Sequence, residues 1–347
     1  MISAFALGYG LLQLVFGILG DRHGKFRIVA IATMACTATA VAAAFSPSLP
    51  WLRAARFLSG ATAAGIVPLT MAWIGDNVPY DRRQEVLAQL LGATVSGMIA
   101  GQWLGGVIAD TVGWRAGFAL LALLFAASAV MLGLEQRARP AAPLVPARSG
   151  LLAPFARVLT SSWARKVLAV TFIEGALAFG ALAFVPAYLH LRFGLSMAAA
   201  GAVMAVYGVG GLAYSRGARR LVRRLGEIKL AALGGTSLAL ALAALALVSQ
   251  WQWAIAACAL AGSGFYALHS TLQTHATQMA PEARGTAVSL FACSLFIGQS
   301  SGVVAAAWAM DRFSATLLFA SASTGLFFLA WTFVWLLRRH GRGPLLR

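Results

Sequence analysis

The chain has 347 residues, of which 60% are hydrophobic and only 11% are Asp, Glu, Lys or Arg, with a formal net charge of +17. Soluble domains carry about 25% charged residues, so these proportions exclude a soluble enzyme or a soluble nucleic-acid-binding protein. They describe a chain that folds in lipid.

A charge-free stretch of roughly 20 residues is long enough to cross a bilayer as helix. The first, 1–20, runs into Gly17-Ile18-Leu19-Gly20-Asp21-Arg22-His23-Gly24-Lys25-Phe26-Arg27. Asp21, Arg22, Lys25 and Arg27 cannot lie in hydrocarbon, so this segment reads as a tight aqueous turn, with Gly17, Gly20 and Gly24 permitting close approach. Spans at 28–52, 57–75, 86–109 and 116–134 follow. The segment 136–165 holds Pro140, Pro143, Pro146, Pro154 and five arginines, and reads as a linker. Within it, 151–159 is expected to form a short interfacial helix. The next span, 167–191, is interrupted by Glu174, and further spans lie at 193–215, 285–310 and 313–337. The stretch 230–281 is too long for one crossing. Ser249-Gln250-Trp251-Gln252-Trp253 divides it, with tryptophans at interfacial depth. The total is eleven spans and no soluble domain.

If the turn at 21–27 is cytoplasmic and the spans alternate, the cytoplasmic segments collect 22 of the 27 Lys and Arg residues. The positive-inside rule accounts for that asymmetry and hence for the net charge, which leaves nucleic acid nothing to explain. The rule puts the linker and the tail 338–347 in the cytoplasm. Arg219, Arg220, Arg223 and Arg224 could touch anionic lipid, but topology suffices for them. Cys36, Cys258 and Cys293 fall inside spans as small hydrophobes. His269 and His275 lie six residues, about 600°, apart on one helix and so face different ways. No metal cluster, phosphate loop, catalytic triad or cofactor site is present in the sequence.

Shifting the chain by 202 residues superposes Leu19 on Leu221, Arg22 on Arg224, Gly24 on Gly226, Gly60 on Gly262, Pro79 on Pro281 and Arg82 on Arg284. Two halves of equal topology follow, 1–135 and 166–337, related by an axis along the membrane normal.

The turn resembles the signature loop between helices 2 and 3 of the major facilitator superfamily, matched by Gly17, Leu19, Asp21, Arg22, Gly24 and Lys25. The resemblance implies an all-α membrane protein with two pseudo-symmetric helical halves. It also implies that the first half begins with family helix 2, so that eleven helices are present where a complete protein would have twelve. By the same resemblance Asp21 would latch onto the start of family helix 11 near Arg284, with Arg82 or Arg83 competing for its carboxylate. Arg56 and Gly60 match the helix-4 pattern of an intramembrane Arg followed four residues later by Gly. Gly97-Met98-Ile99-Ala100-Gly101-Gln102-Trp103-Leu104-Gly105-Gly106 resembles the antiporter signature of helix 5 with Gln102 in place of Pro, and plain small-residue packing is the competing reading. Gly113-Trp114-Arg115-Ala116-Gly117-Phe118 resembles an element of bacterial drug and sugar exporters. Asp110 and Asp311 read as solvated helix ends.

Glu174 is the carboxylate that lies well inside a span, where a permanent charge is costly and a titrating one is useful. It and Arg56 are the proton-coupling candidates; the alternative is a carboxylate satisfied by Arg165 or Lys166. Trp103, Tyr207, His269, Gln273 and Gln299 could line a substrate cavity, or simply pack helices. The function expected is proton-coupled efflux of a small molecule by a monomer in the bacterial inner membrane. The alternatives are a proton-coupled uptake symporter, which a second deep carboxylate on helix 1 would favour, and a non-transporting scaffold or sensor.

Overall fold

In lipid, backbone polar groups must be satisfied within the segment, and the chain answers with helix throughout. The computed structural model describes residues 2–138, 153–280 and 284–340; some side chains within its helices, those of Asp21, Arg83 and Arg284 among them, lie outside the described residues. The helices are α1 (Ile2–His23), α2 (Lys25–Ala44), α3 (Leu49–Ala63), α4 (Ile66–Asn77), α5 (Tyr80–Thr111), α6 (Trp114–Ala138), α7 (Ala153–Thr160), α8 (Ser162–Leu182), α9 (Val185–Phe193), α10 (Met197–Leu247), α11 (Gln252–Gln278), α12 (Arg284–Arg312) and α13 (Ala315–His340).

Among the described residues, eight helical segments are long and apolar enough to cross a membrane. Two of these join consecutive helices across a break, at Leu49–Asn77 and Ser162–Phe193. In each case a proline explains the break. Pro68 and Pro186 cannot donate to residue i−4 and would clash with its carbonyl, on Ala64 and Leu182. The 51 residues of α10 would measure about 77 Å as straight helix, more than twice a bilayer core of about 30 Å. They bend back at Gly226 (φ 70°, ψ 168°) and make two crossings. With α10 counted as two, α1 and α5 bring the helical segments among the described residues to the eleven expected, and the short helix expected near 151–159 is α7.

The charged turn is shorter than expected. Helix continues through Asp21 and Arg22 to His23, and α2 starts at Lys25, so that Gly24 alone (φ 87°, ψ 124°) makes the turn. Charged residues beyond the lipid boundary extend a helix without penalty, and only the reversal needs the left-handed φ that glycine permits. Likewise residues 216–229, between the expected spans 193–215 and 230–281, are helical on both sides of Gly226.

The 202-residue shift reappears in the packing. A methyl on Gly60 would strike the Phe5 carbonyl, and one on Gly262 would strike the Tyr207 carbonyl. A methyl on Gly8 would strike the Phe57 carbonyl, and one on Gly210 that of Ala259. Each pair of partners is separated by the same 202 positions. The α1–α3 and α10–α11 contacts are therefore the same backbone-to-backbone approach made twice, of the kind that small residues allow in lipid, where no hydrophobic force drives helices together.

Residues from Val158 to Leu337 share one extended core centred on α8, α10, α11 and α13. The first 138 residues contribute smaller clusters, around Ile28, Val29 and Leu69 and around Ala43, Leu52 and Ala55. The two parts meet along α1 with α12 and α5 with α10.

Candidate functional site

Glu174 lies on α8, twelve residues and about 18 Å from its start at Ser162. Its neighbour Gly175 and the α12 glycines Gly298 and Gly302 bring α8 and α12 so close that a methyl at any of the three would strike a carbonyl, of Leu295, Phe172 and Ala176 respectively. The Glu174 side chain is fully buried, at 0% exposure. Its Oε2 lies 2.9 Å from His269 Nδ1 on α11, a hydrogen-bonded pair joining residues 95 apart in sequence. Its Oε1 has no hydrogen-bond partner among the described residues.

His269 is held by its ring faces. It stacks on Phe265 with centroids 5.0 Å apart and a 13° interplanar angle, and Phe291 of α12 flanks it at 5.1 Å. Its side chain keeps 17% of its surface exposed, so the pair joins a sealed carboxylate to a group that space still reaches. Tyr207 of α10 is buried nearby against Phe265, and its hydroxyl also has no partner among the described residues. The alternative partners of Glu174 are engaged elsewhere or face away: Arg165 donates to the Leu159 and Thr160 carbonyls at 2.9 and 3.1 Å, and Lys166 is exposed. His275 lies 3.2 Å from Glu227 and is not part of this group.

The remaining cavity candidates differ in burial, and the backbone of Gln299 packs against Gly175, next to Glu174. Gln273 and Trp103 are exposed, Trp103 by half, and Gln299 is partly buried on α12. Arg56 of α3 is half-buried, with its guanidinium 4.5 Å from the Phe5 ring and 5.5 Å from the Phe118 ring. Cation–π attraction of this kind offsets the cost of placing a cation in a span.

The glycine stripe of α5 departs from the packing reading. Among the described residues, Gly97, Gly101 and Gly105 have nothing within 4 Å of where a Cβ would stand, and of the four motif glycines only Gly106 is buried, against Met197 of α10. Glycines four apart do form a flat stripe, but a stripe packs only where a neighbour lies over it. At the turn, Gly17 likewise faces open space, Arg22 and Arg82 are exposed, and Lys25 forms an ion pair with Asp76 at the end of α4. The expected Asp21 contact with Arg284 lies outside the described residues. Sequence reasoning did not single out Asp76, the buried Gln13 of α1, or the role of Asp110: its Oδ1 and Oδ2 accept from the backbone N–H groups of Met197 and Ala198 at 3.0 and 2.6 Å. Asp110 is no mere solvated end. Among the described residues no group of three His, Cys, Asp or Glu side chains could hold a metal ion.

This architecture, two repeated helical parts that meet along α1 with α12 and α5 with α10, the second holding a buried polar pair between α8 and α11, is that of a membrane transporter. Residues 1–303 match the sequence profile of the Major Facilitator Superfamily, and the chain belongs to that superfamily, whose members are transporters and not enzymes. It is similar to the multi-drug resistance efflux pump PmrA of Streptococcus pneumoniae, at 33% identity over 38% of this chain and 32% of the pump. It also resembles the uncharacterized MFS-type transporter YceJ of Bacillus subtilis, at 25% identity over 87% of this chain and 77% of that protein. The chain thus aligns with about a third of the length of the pneumococcal pump and with most of YceJ. Among solved structures, a POT family transporter bound to a thioalcohol-conjugated peptide matches with a TM-score of 0.80 at 13% identity, covering 97% of this chain and 86% of that one. The nucleoside transporter NupG matches with a TM-score of 0.74 at 16% identity, over 96% and 90% of the two chains. These structural likenesses define the fold.

Proposed function

We propose that the chain exports small molecules from the bacterial cytoplasm in exchange for protons, working as a monomer in the inner membrane with its linker and C-terminus cytoplasmic. The observation that carries this is Glu174, a fully buried carboxylate whose one partner among the described residues is His269. A permanently ionised, half-satisfied carboxylate at that depth is expensive, whereas one that takes up and gives back a proton is not. His269 orients Oε2 and keeps one edge toward open space, so it can pass the proton between carboxylate and pathway. Export then follows by alternating access: the two parts rock about the α1–α12 and α5–α10 seams, and Glu174 is protonated on one side and deprotonated on the other. Arg56 would sit across the pathway, and an Asp21 latch at the far end would set the balance between states. The resemblance to multidrug pumps supports efflux of apolar compounds over a single dedicated substrate.

The test is Glu174→Gln in proteoliposomes loaded with ethidium, with and without an imposed pH gradient. The variant keeps size and hydrogen bonding but cannot titrate. Gradient-driven accumulation should vanish while downhill movement persists. Normal uphill pumping by Glu174→Gln would refute the role of the carboxylate.

A further inference from the structure

An aspartate in the last turn of a helix is misplaced, because the carbonyl end of the helix dipole is itself negative. Asp110 holds that position on α5, one residue before Thr111. What offsets the repulsion is not in α5. The start of α10 presents three free N–H groups: Ser196 Oγ takes that of Ala199 at 3.1 Å, and Asp110 takes those of Met197 and Ala198 at 3.0 and 2.6 Å. One helix of the first 138 residues thus caps a helix that follows the linker.

The reach of a short side chain requires the two backbones to be close. Gly106, one turn before Asp110, is where a methyl would strike the Met197 carbonyl, and at Gly201 a methyl would strike the Gln102 carbonyl. On the other seam, Ser300 Oγ donates to the Ser3 carbonyl at 2.9 Å, and Tyr9 packs on Phe296 with centroids 4.3 Å apart. Two of the basic groups at this end are occupied within their own parts: Arg115 donates to the Ser46 carbonyl at 3.1 Å and Arg192 to the Tyr188 hydroxyl at 2.7 Å.

We infer that Asp110 is a positioning residue of the transport cycle, a clasp that caps α10 and holds the bundle closed at the end where α5 stops. The buried Gly106 acquires a purpose from this: it lets α5 and α10 approach closely enough for the clasp to engage. Opening that end exposes the Met197 and Ala198 N–H groups to water and returns Asp110 to the unfavourable end of its own helix, so the contact biases the equilibrium toward closure without locking it.

The experiment uses the full chain in nanodiscs, with spin labels at Val112→Cys and Leu191→Cys, two highly exposed positions on opposite sides of the clasp. The three native cysteines are buried and leave the label to these sites. Pulsed dipolar spectroscopy should give a short-distance and a long-distance population. Asp110→Asn, which removes the charge from a partly exposed charge-assisted contact, should shift their ratio about fivefold toward the long distance. Asp110→Ala should shift it further, and Asp110→Glu should restore part of the short-distance population. Met197→Pro removes one donor from the other side at a first helical position that accepts proline, and should move the ratio the same way by less. A merely structural aspartate would lower thermal stability and leave the distances alone. Unchanged distance populations in both Asp110→Ala and Met197→Pro would overturn the clasp.

Discussion

The Glu174–His269 pair makes a quantitative prediction that separates an interacting dyad from two neighbours. His269→Phe keeps an aromatic ring between Phe265 and Phe291 but removes the one hydrogen bond that the described residues make to a carboxyl group that is fully buried and has no described partner at Oε1. Leaving a buried polar group unsatisfied costs about 1–3 kcal/mol. Glu174→Met fills similar volume and strands the Nδ1 of His269, which is less costly because that ring keeps 17% exposure. The double variant replaces both partners by apolar groups of similar shape, and such replacements are close to neutral. The single variants should therefore lose stability, the histidine change more, while the double variant recovers most of the loss, for a coupling of about 1–2 kcal/mol. The assay is reversible unfolding of the purified protein by SDS in mild detergent, with helicity as readout. If the two single losses simply add in the double variant, to within about 0.5 kcal/mol, the pair carries no interaction energy and the reasoning fails.

Two further outcomes test the reading. Alanine at Gly97, Gly101 or Gly105 meets open space and should leave thermal stability within a degree or so. Alanine at Gly106 or Gly201 drives a methyl into a carbonyl and should lower it by several degrees, roughly 1–3 kcal/mol. Equal losses at all five positions would show that the stripe is packed after all. For orientation, alkaline phosphatase, active only in the periplasm, should be silent when fused after Arg347; strong activity there would overturn the cytoplasmic assignment of the Lys- and Arg-rich side.

The fold was legible because a bilayer leaves a chain few options. Spans must be about 20 apolar residues long and helical, so runs such as 28–52 and 313–337 could be recognised from composition alone. The 202-residue repeat was legible in glycines, since Gly60 and Gly262 are needed wherever one backbone crosses close to another. Helix limits departed from expectation where water took over from lipid, as at Asp21 and Arg22, where nothing local ends the helix before Gly24, and within two spans at Pro68 and Pro186.

Pairing across the fold was not legible. The local sequence offered Arg165 and Lys166 as partners for Glu174, but α8 is turned by its glycine contacts with α12 so that the carboxylate meets His269 of α11. Asp110 read as an ordinary helix end until α10 was seen to begin beside it. The glycines of α5 read as an antiporter signature or a packing stripe, yet three of them have no neighbour among the described residues. Hydrophobicity and chain stiffness act along the sequence and determine which segments are helices and how many cross the membrane. Hydrogen bonds, caps and close approaches act between helices distant in sequence, and only the tertiary arrangement decides which groups share them.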